Sequence, residues 1–159
     1  MCSYGAAAAG CLQRSERGTA MMSVLVVDDD RAIRELLRFA LECEGYEVAV
    51  FRDGAEILNY LRTGRAENPC VILMDVMMPR VDGWEVCRQL AAEPKLFSQH
   101  MLILMTAALL PDEALPPPAT AVLPKPFNLE QLYALIERLP VPPLAGRESV
   151  AAQQTLLAS

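Results

Sequence analysis

The chain has 159 residues, which suits one domain with a substantial hydrophobic core. Hydrophobic residues make up 53% and charged residues 21%, a composition that excludes a disordered chain and predicts a folded globular one. The formal charge of −6 argues against a nucleic-acid partner, and every apolar run falls short of the roughly 20 residues that cross a bilayer, so no membrane partner is expected either.

Hydrophobic patterning predicts alternating strands and helices from residue 22 onward. Continuous apolar runs of the kind found in buried strands cover residues 24–27, 70–74, 101–105 and 121–123, and the apolar-rich run at 46–51 also predicts a strand. Apolar residues at helical spacing follow four of these runs, at 33–41, 55–62, 84–92 and 129–139. Prolines between 111 and 118 leave room for hardly more than one turn, so we expect the fourth helix to be short or missing. The alternation predicts an α/β fold with a parallel sheet and helices on both faces.

The two ends of the chain differ in composition from its middle. The alanine stretch at residues 6–9 contains no Leu, Ile or Val and follows no basic residue, which is too weak for a signal peptide. We therefore predict a disordered leader at 1–21, a folded domain at 22–139 and a flexible tail at 140–159. No output domain is expected.

Cysteine and histidine usage predicts a reduced, cytoplasmic protein without a Cys/His metal site. The five cysteines show no metal-ligand spacing, and three of them lie in apolar segments typical of buried thiols. The single histidine, His100, lies in a connection before a predicted strand, so we expect it at the surface.

Polar residues stand where four of the apolar runs end. Asp28 and Asp29 follow the first run, Asp75 the third, Thr106 the fourth and Lys125 the fifth. In an open parallel sheet, ligands bind beyond the carboxyl ends of the strands. We therefore expect these five side chains to converge at one edge of the sheet.

The chemistry of this predicted cluster favours a magnesium ion and phosphoryl transfer. Three carboxylates at one edge repel one another unless a cation is present, and Mg²⁺ suits a site with a few carboxylates and open positions for phosphoryl oxygens. Asp75 can attack a phosphoryl group and form an acyl phosphate. Lys125 and Thr106 supply an ammonium and a hydroxyl for the charge on the transferred oxygens.

Four short segments in this order resemble the receiver domains of bacterial two-component response regulators. They are VVDD at 26–29, MDVMMP at 74–79 with DG at 82–83, MTA at 105–107 and PKPF at 124–127. The resemblance covers about residues 23–139 and implies a flavodoxin-like five-stranded sheet in the order 2-1-3-4-5. It implies a single-domain regulator that takes a phosphoryl group from a histidine kinase or phosphotransfer protein and signals by binding an unidentified downstream protein. Such a switch catalyses its own phosphorylation and dephosphorylation and is not a turnover enzyme.

The resemblance also implies a role for each acidic residue. Asp75 corresponds to the phosphoacceptor and contributes to the metal site. Asp29 corresponds to a direct Mg²⁺ ligand, Asp28 to a ligand acting through water, and the backbone carbonyl of Met77 to a further ligand.

The remaining motif positions both match and depart from the family. By similarity, Thr106 would bond the phosphoryl group and Lys125 would pair with it, and the Lys125–Pro126 peptide would be cis. The family usually has Tyr or Phe three residues before this lysine, whereas this chain has Val122. We therefore expect an unusual output surface, on the first or last helix.

The residues flanking the expected phosphorylation site predict a long-lived phosphoryl group. Hydrolysis needs a water held in line, and the flanking side chains of Met77 and Ala108 cannot form a hydrogen bond to it. We predict slow self-dephosphorylation.

Two other functions remain open at this point. A Mg²⁺-dependent phosphatase of the haloacid-dehalogenase type also begins with a strand followed by Asp-x-Asp, here Asp28 and Asp30, and its nucleophile would be Asp28. A scaffold with a vestigial site would not respond to acetyl phosphate or to beryllofluoride with Mg²⁺.

Overall fold

The computed structural model describes residues 22–66, 68–108 and 115–140. Their elements are, in order, β1 (Ser23–Val27), α1 (Arg31–Cys43), β2 (Glu47–Phe51), α2 (Gly54–Arg62), β3 (Cys70–Asp75), α3 (Gly83–Ala92), α4 (Pro94–Phe97), β4 (Met101–Thr106), β5 (Ala121–Pro124) and α5 (Leu129–Arg138). The strands form one parallel sheet in the order β2-β1-β3-β4-β5. The predicted α/β fold and strand order are confirmed, and the single turn α4 is an element that the sequence did not predict.

Several predictions concern residues outside the described ranges. The leader at 1–21 and residues 141–159 of the tail lie there, as do residues 109–114, on which the expected short or missing fourth helix falls. Residues 115–120 are described and contain no helix. Within the described ranges, none of the helices is long and apolar enough to cross a membrane.

The sheet has a hydrophobic core on each face because successive side chains of a strand point to opposite sides. On one face, Leu25 and Ile72 pack with Ile57 of α2. On the other face, Val24 and Leu73 pack in the core that also contains residues of α1 and α5. All six residues of β3 are buried, as expected for a central strand of a parallel sheet. The buried strands β1 and β3 therefore fix the positions of the polar residues that begin at their carboxyl ends.

The prediction that His100 lies at the surface is wrong. Its side chain is 7% exposed, and its Nδ1 accepts a hydrogen bond from the backbone N–H of Cys70 at 3.3 Å. The Sγ atom of Cys70 lies 3.1 Å from the same nitrogen. Burial lowers the pKa of His100 and raises the pKa of Cys70 to about 12. The sequence pattern placed His100 in a connection, but the turn α4 brings it against the start of β3.

Candidate functional site

Three carboxylates meet at the carboxyl edge of the sheet. Asp28 and Asp29 follow β1, and Asp75 ends the neighbouring strand β3. One carboxylate oxygen from each lies within 4.8 Å of the others. Asp28 and Asp75 are buried, whereas Asp29 is exposed, so the cluster opens to solvent on one side. A cation could enter from that side and reach all three groups.

Asp28 carries the most constrained carboxylate of the cluster. Its Oδ1 accepts a hydrogen bond from the backbone N–H of Asp30 at 2.9 Å, while its buried Oδ2 has no hydrogen-bond partner in the described part of the chain. Burial raises the pKa of Asp28, and the charges of Asp75 and Asp29 act in the same direction, against the Asp30 hydrogen bond and the Lys125 charge. A buried carboxylate oxygen that accepts no hydrogen bond raises the free energy of the folded state, and a bound cation would offset that cost.

Lys125 places an ammonium group beside two of the carboxylates. Its Nζ lies 3.2 Å from Oδ1 of Asp75 and 3.7 Å from Oδ2 of Asp28. The backbone N–H of Lys125 donates to the carbonyl of Thr106 at 2.8 Å, which ties the end of β5 to the end of β4. The Lys125–Pro126 peptide is cis, as the resemblance implied. One ammonium among three carboxylates leaves the cluster with a net negative charge.

Thr106 and Met77 are the remaining predicted site residues near Asp75. Asp75 is in register with Met105 on β4, so Thr106 lies one residue further along the adjacent strand, and it is buried. Its Oγ1 accepts a hydrogen bond from the N–H of Ala108 at 3.0 Å. The N–H of Met77 donates to Oδ1 of Asp75 at 3.3 Å, while the Met77 side chain is 75% exposed. The predicted site residues thus all lie at the same edge of the sheet.

A glycine holds the loop that carries Met77. The N–H of Gly83 donates to the carbonyl of Val76 at 2.9 Å, which brings the start of α3 against the end of β3. A Cβ atom at Gly83 would lie 2.8 Å from the Cα of Val76 and 3.0 Å from the carbonyl oxygen of Asp75. A side chain at this position would therefore displace the backbone of the loop.

Val122, at the position usually held by Tyr or Phe in the family, lies on the edge strand β5. It is paired in register with Leu104 and is half-buried against the core that contains Leu104 and Ile72. A β-branched side chain in a strand has a strongly restricted χ1 angle. Val122 therefore offers no large side chain that could swing between buried and exposed positions.

Arg34 is a site residue that the sequence analysis missed. Its Nη1 donates hydrogen bonds to the backbone carbonyls of Asp28 at 2.7 Å and Asp29 at 2.9 Å. The available signal was an arginine five residues after the acidic pair, but arginine on an amphipathic helix is usually a solvated side chain. The contact depends on how the start of α1 packs against the loop that follows β1, and the sequence pattern does not specify this packing.

Known proteins share this arrangement. Residues 24–137 match the family model described as response regulator receiver domain. Response regulator MprA of Mycobacterium avium (strain 104) is 43% identical over 121 residues, which cover 74% of this chain and 50% of that protein.

Solved structures of response regulators are also similar to this chain. The Vibrio cholerae chemotaxis protein CheY4 superposes with a TM-score of 0.65 at 32% identity, over 75% of this chain and 98% of that one. The Thermotoga maritima response regulator protein TrrA, in complex with Mg²⁺-BeF, superposes with a TM-score of 0.63 at 31% identity, over 74% of this chain and 98% of that one.

The matches differ in how much of each known protein they cover. This chain spans about half the length of the curated relatives it matches, so the activities and partners of those whole proteins are not assigned to it. The family match, in contrast, covers most of the chain and contains the whole acidic cluster. The chain belongs to the response regulator receiver domain family.

Proposed function

We propose that this receiver domain is a phosphorylation switch in which Asp75 accepts a phosphoryl group from a histidine kinase or phosphotransfer protein. One observation carries the proposal: the carboxylates of Asp28, Asp29 and Asp75 lie within 4.8 Å of one another, with the Lys125 ammonium 3.2 Å from Asp75. This arrangement combines a nucleophile, an acidic cation site and a fixed positive charge. The switch would catalyse its own phosphorylation and dephosphorylation.

The chain's own residues orient Asp75 for attack. The Met77 N–H and the Lys125 ammonium both contact Oδ1, so we expect the other oxygen, Oδ2, to be the nucleophile. An electron pair of Oδ2 forms the new bond to phosphorus, and the bond from phosphorus to the donor's imidazole nitrogen breaks with its electrons. Lys125 and the hydroxyl of Thr106 would donate to the phosphoryl oxygens as negative charge builds on them.

The residues present fit a magnesium ion. Asp28, Asp29, Asp75 and the backbone carbonyl of Met77 would hold it, and these are the hard oxygen donors that Mg²⁺ prefers. The buried Oδ2 of Asp28 supports this fit, because it accepts no hydrogen bond in the described part of the chain and so leaves a negative acceptor inside the cluster. When bound, the ion supplies positive charge that offsets the phosphoryl oxygens.

The proposed signal is read by protein binding. Leu36 and Phe39, three residues apart on α1, are 57% and 69% exposed, and α1 begins directly after the acidic turn at residues 28–30. Large apolar side chains exposed together are typical of protein contact sites. We propose that a protein partner binds this face of α1. We further propose that this domain is cytoplasmic, because its cysteines are typical of reduced thiols. We also propose that it has no nucleic-acid partner, because its net charge is negative.

The phosphatase alternative is less well supported. It requires the carboxylate of Asp30 beside that of Asp28, but Asp30 is exposed and caps α1 by accepting from the N–H groups of Ala32 at 2.8 Å and Ile33 at 3.4 Å. Its carboxylate is therefore engaged with the helix.

Mass spectrometry tests the proposal. We expect wild-type protein incubated with acetyl phosphate and Mg²⁺ to gain the mass of one phosphoryl group, located on Asp75 by peptide mapping. The Asp75→Asn variant should gain none, and Asp30→Asn, which retains a capping side chain, should behave as wild type. A phosphoryl group on Asp28 would instead support the phosphatase. An absence of phosphorylation, together with unchanged spectra on adding beryllofluoride and Mg²⁺, would support the vestigial scaffold.

A further inference from the structure

Arg34 links helix α1 to the backbone of the acidic turn. It lies at the end of the first turn of α1, and its backbone N–H donates to the carbonyl of Asp30 at 3.0 Å. Its side chain reaches back along the helix, so that Nη1 contacts the carbonyl oxygens of Asp28 at 2.7 Å and Asp29 at 2.9 Å. One nitrogen thus bridges two consecutive peptide groups.

These two carbonyls lie where the sheet stops supporting the chain. The N–H of Asp28 still donates to the carbonyl of Phe51 at 3.1 Å, but β1 ends at Val27. Beyond that point the sheet no longer pairs the carbonyls, and a backbone carbonyl without a donor is destabilising where it is shielded from water. Arg34 provides the donor for both. Holding two successive carbonyls restricts the backbone of Asp28 and Asp29 and with it the directions of their side chains.

We propose that Arg34 is a positioning residue that holds the carboxylates of Asp28 and Asp29 in the arrangement that binds a divalent cation. The inference rests on the proposed function, since it concerns the same Mg²⁺ site. Arg34 contacts carbonyls and would not itself bind the ion. Groups that orient metal ligands in this way commonly change metal affinity by about 10- to 100-fold when they are removed.

The sign of the effect separates positioning from simple electrostatics. Arg34 carries a positive charge near the cluster, and that charge repels a second cation. If charge alone mattered, removing it would tighten Mg²⁺ binding. If positioning dominates, as we infer, removing the side chain weakens binding although a repulsive charge has gone.

Calorimetric titration with Mg²⁺ alone tests this inference. We expect Arg34→Met to bind Mg²⁺ about tenfold more weakly than wild type. Arg34→Lys should bind better than Arg34→Met, because an ammonium can donate to both carbonyls. The matched control is Arg38→Met, which removes the same charge from the same helix, where Arg38 forms a surface ion pair with Glu35 at 2.8 Å. This control should bind Mg²⁺ like wild type.

A spectroscopic readout reports the geometry without the metal. The N–H of Asp30 donates to Oδ1 of Asp28, so its amide chemical shift should move in metal-free Arg34→Met and remain near the wild-type value in Arg38→Met. Thermal unfolding without Mg²⁺ checks that each variant is folded. If Arg34→Met fails to fold, Arg34→Gln carries the same test, since its shorter neutral side chain cannot bridge both carbonyls.

Two results of these titrations would overturn the inference. Binding by Arg34→Met that equals or exceeds that of wild type would overturn the inference, as would Arg34→Lys binding no better than Arg34→Met. A wild-type protein that does not bind Mg²⁺ would contradict the proposed function itself, and the inference with it.

Discussion

The ammonium nitrogen of Lys125 lies 3.2 Å from Oδ1 of Asp75. The predicted phosphoacceptor is therefore already paired with a positive charge supplied by the fold. That charge and a bound Mg²⁺ would share the same few carboxylates. The balance between them sets how tightly the cation binds before any phosphoryl group arrives.

Removing this charge should tighten magnesium binding. In Lys125→Met, Mg²⁺ no longer competes with the ammonium, and we expect a gain of about 1 kcal/mol, roughly fivefold in affinity. Phosphorylation by acetyl phosphate should nevertheless be slower, because a donor to the phosphoryl oxygens is lost. Calorimetry and intact mass spectrometry measure the two effects. Lys95→Met, at an exposed position of the turn α4, is the control, and weaker Mg²⁺ binding by Lys125→Met would contradict the prediction.

Asp28 should destabilise the metal-free protein at neutral pH. Burial raises its pKa above the ordinary value of 3.8, so the folded state holds this proton more tightly than the unfolded state does. Stability conferred by this group is therefore present at low pH and is lost as pH rises through the raised pKa. We expect Asp28→Asn to have a higher free energy of unfolding than wild type at pH 7 without Mg²⁺, by about 1.4 kcal/mol for each unit by which the pKa is raised, and nearly the same free energy at pH 3.

Urea unfolding measures this difference. Asp30→Asn is the matched control because it removes a neighbouring exposed charge and keeps a side chain that can cap α1. Added Mg²⁺ should stabilise the wild type and the control but not Asp28→Asn. A less stable Asp28→Asn at pH 7 would show that the buried charge is adequately compensated.

The exposed side chain of Met77 should prolong the phosphorylated state. Its N–H contacts Asp75, so an asparagine there would carry an amide next to the acyl phosphate, where it could orient a water. We expect Met77→Asn to lose the phosphoryl group several-fold faster, less than the roughly hundredfold that a full general base supplies. The time course of the phosphorylated mass measures it. Met77→Leu should match wild type, and an unchanged rate in Met77→Asn would remove the argument.

His100 should make the protein less stable in mild acid. Burial lowers its pKa below the ordinary value of 6.5, so the unfolded state binds this proton more readily than the folded state. Stability is then lost as pH falls below 6.5 towards the folded-state pKa. The loss should reach about 1.4 kcal/mol for each unit of pKa shift.

The Asn variant isolates the histidine contribution. In His100→Asn an amide oxygen can still accept from the N–H of Cys70, but the group does not titrate. Urea unfolding at pH 7 and pH 5 should show a smaller loss in this variant than in wild type. Because His100 is the only histidine of the chain, equal losses in the two proteins would rule out its involvement.

The pattern of hydrophobic and polar residues in the sequence by itself predicted most of the fold and which residues lie at the site. Apolar runs ending in Asp28, Asp75 and Thr106 predicted strands whose carboxyl ends carry the chemistry, because hydrophobic periodicity and capping depend on neighbours along the chain. The order of the motifs then placed the polar residues on one edge of a parallel sheet.

Tertiary structure alone decided how these groups are arranged. Asp28 and Asp29 are adjacent, yet Asp28 is buried, with an oxygen that accepts no hydrogen bond from the described residues, and Asp29 is exposed. Arg34 contacts their carbonyls, and His100 is buried against Cys70 across thirty positions of the chain. Such contacts depend on how helices and loops pack in three dimensions, and the spacing of residues along the chain does not encode the direction of a single side chain.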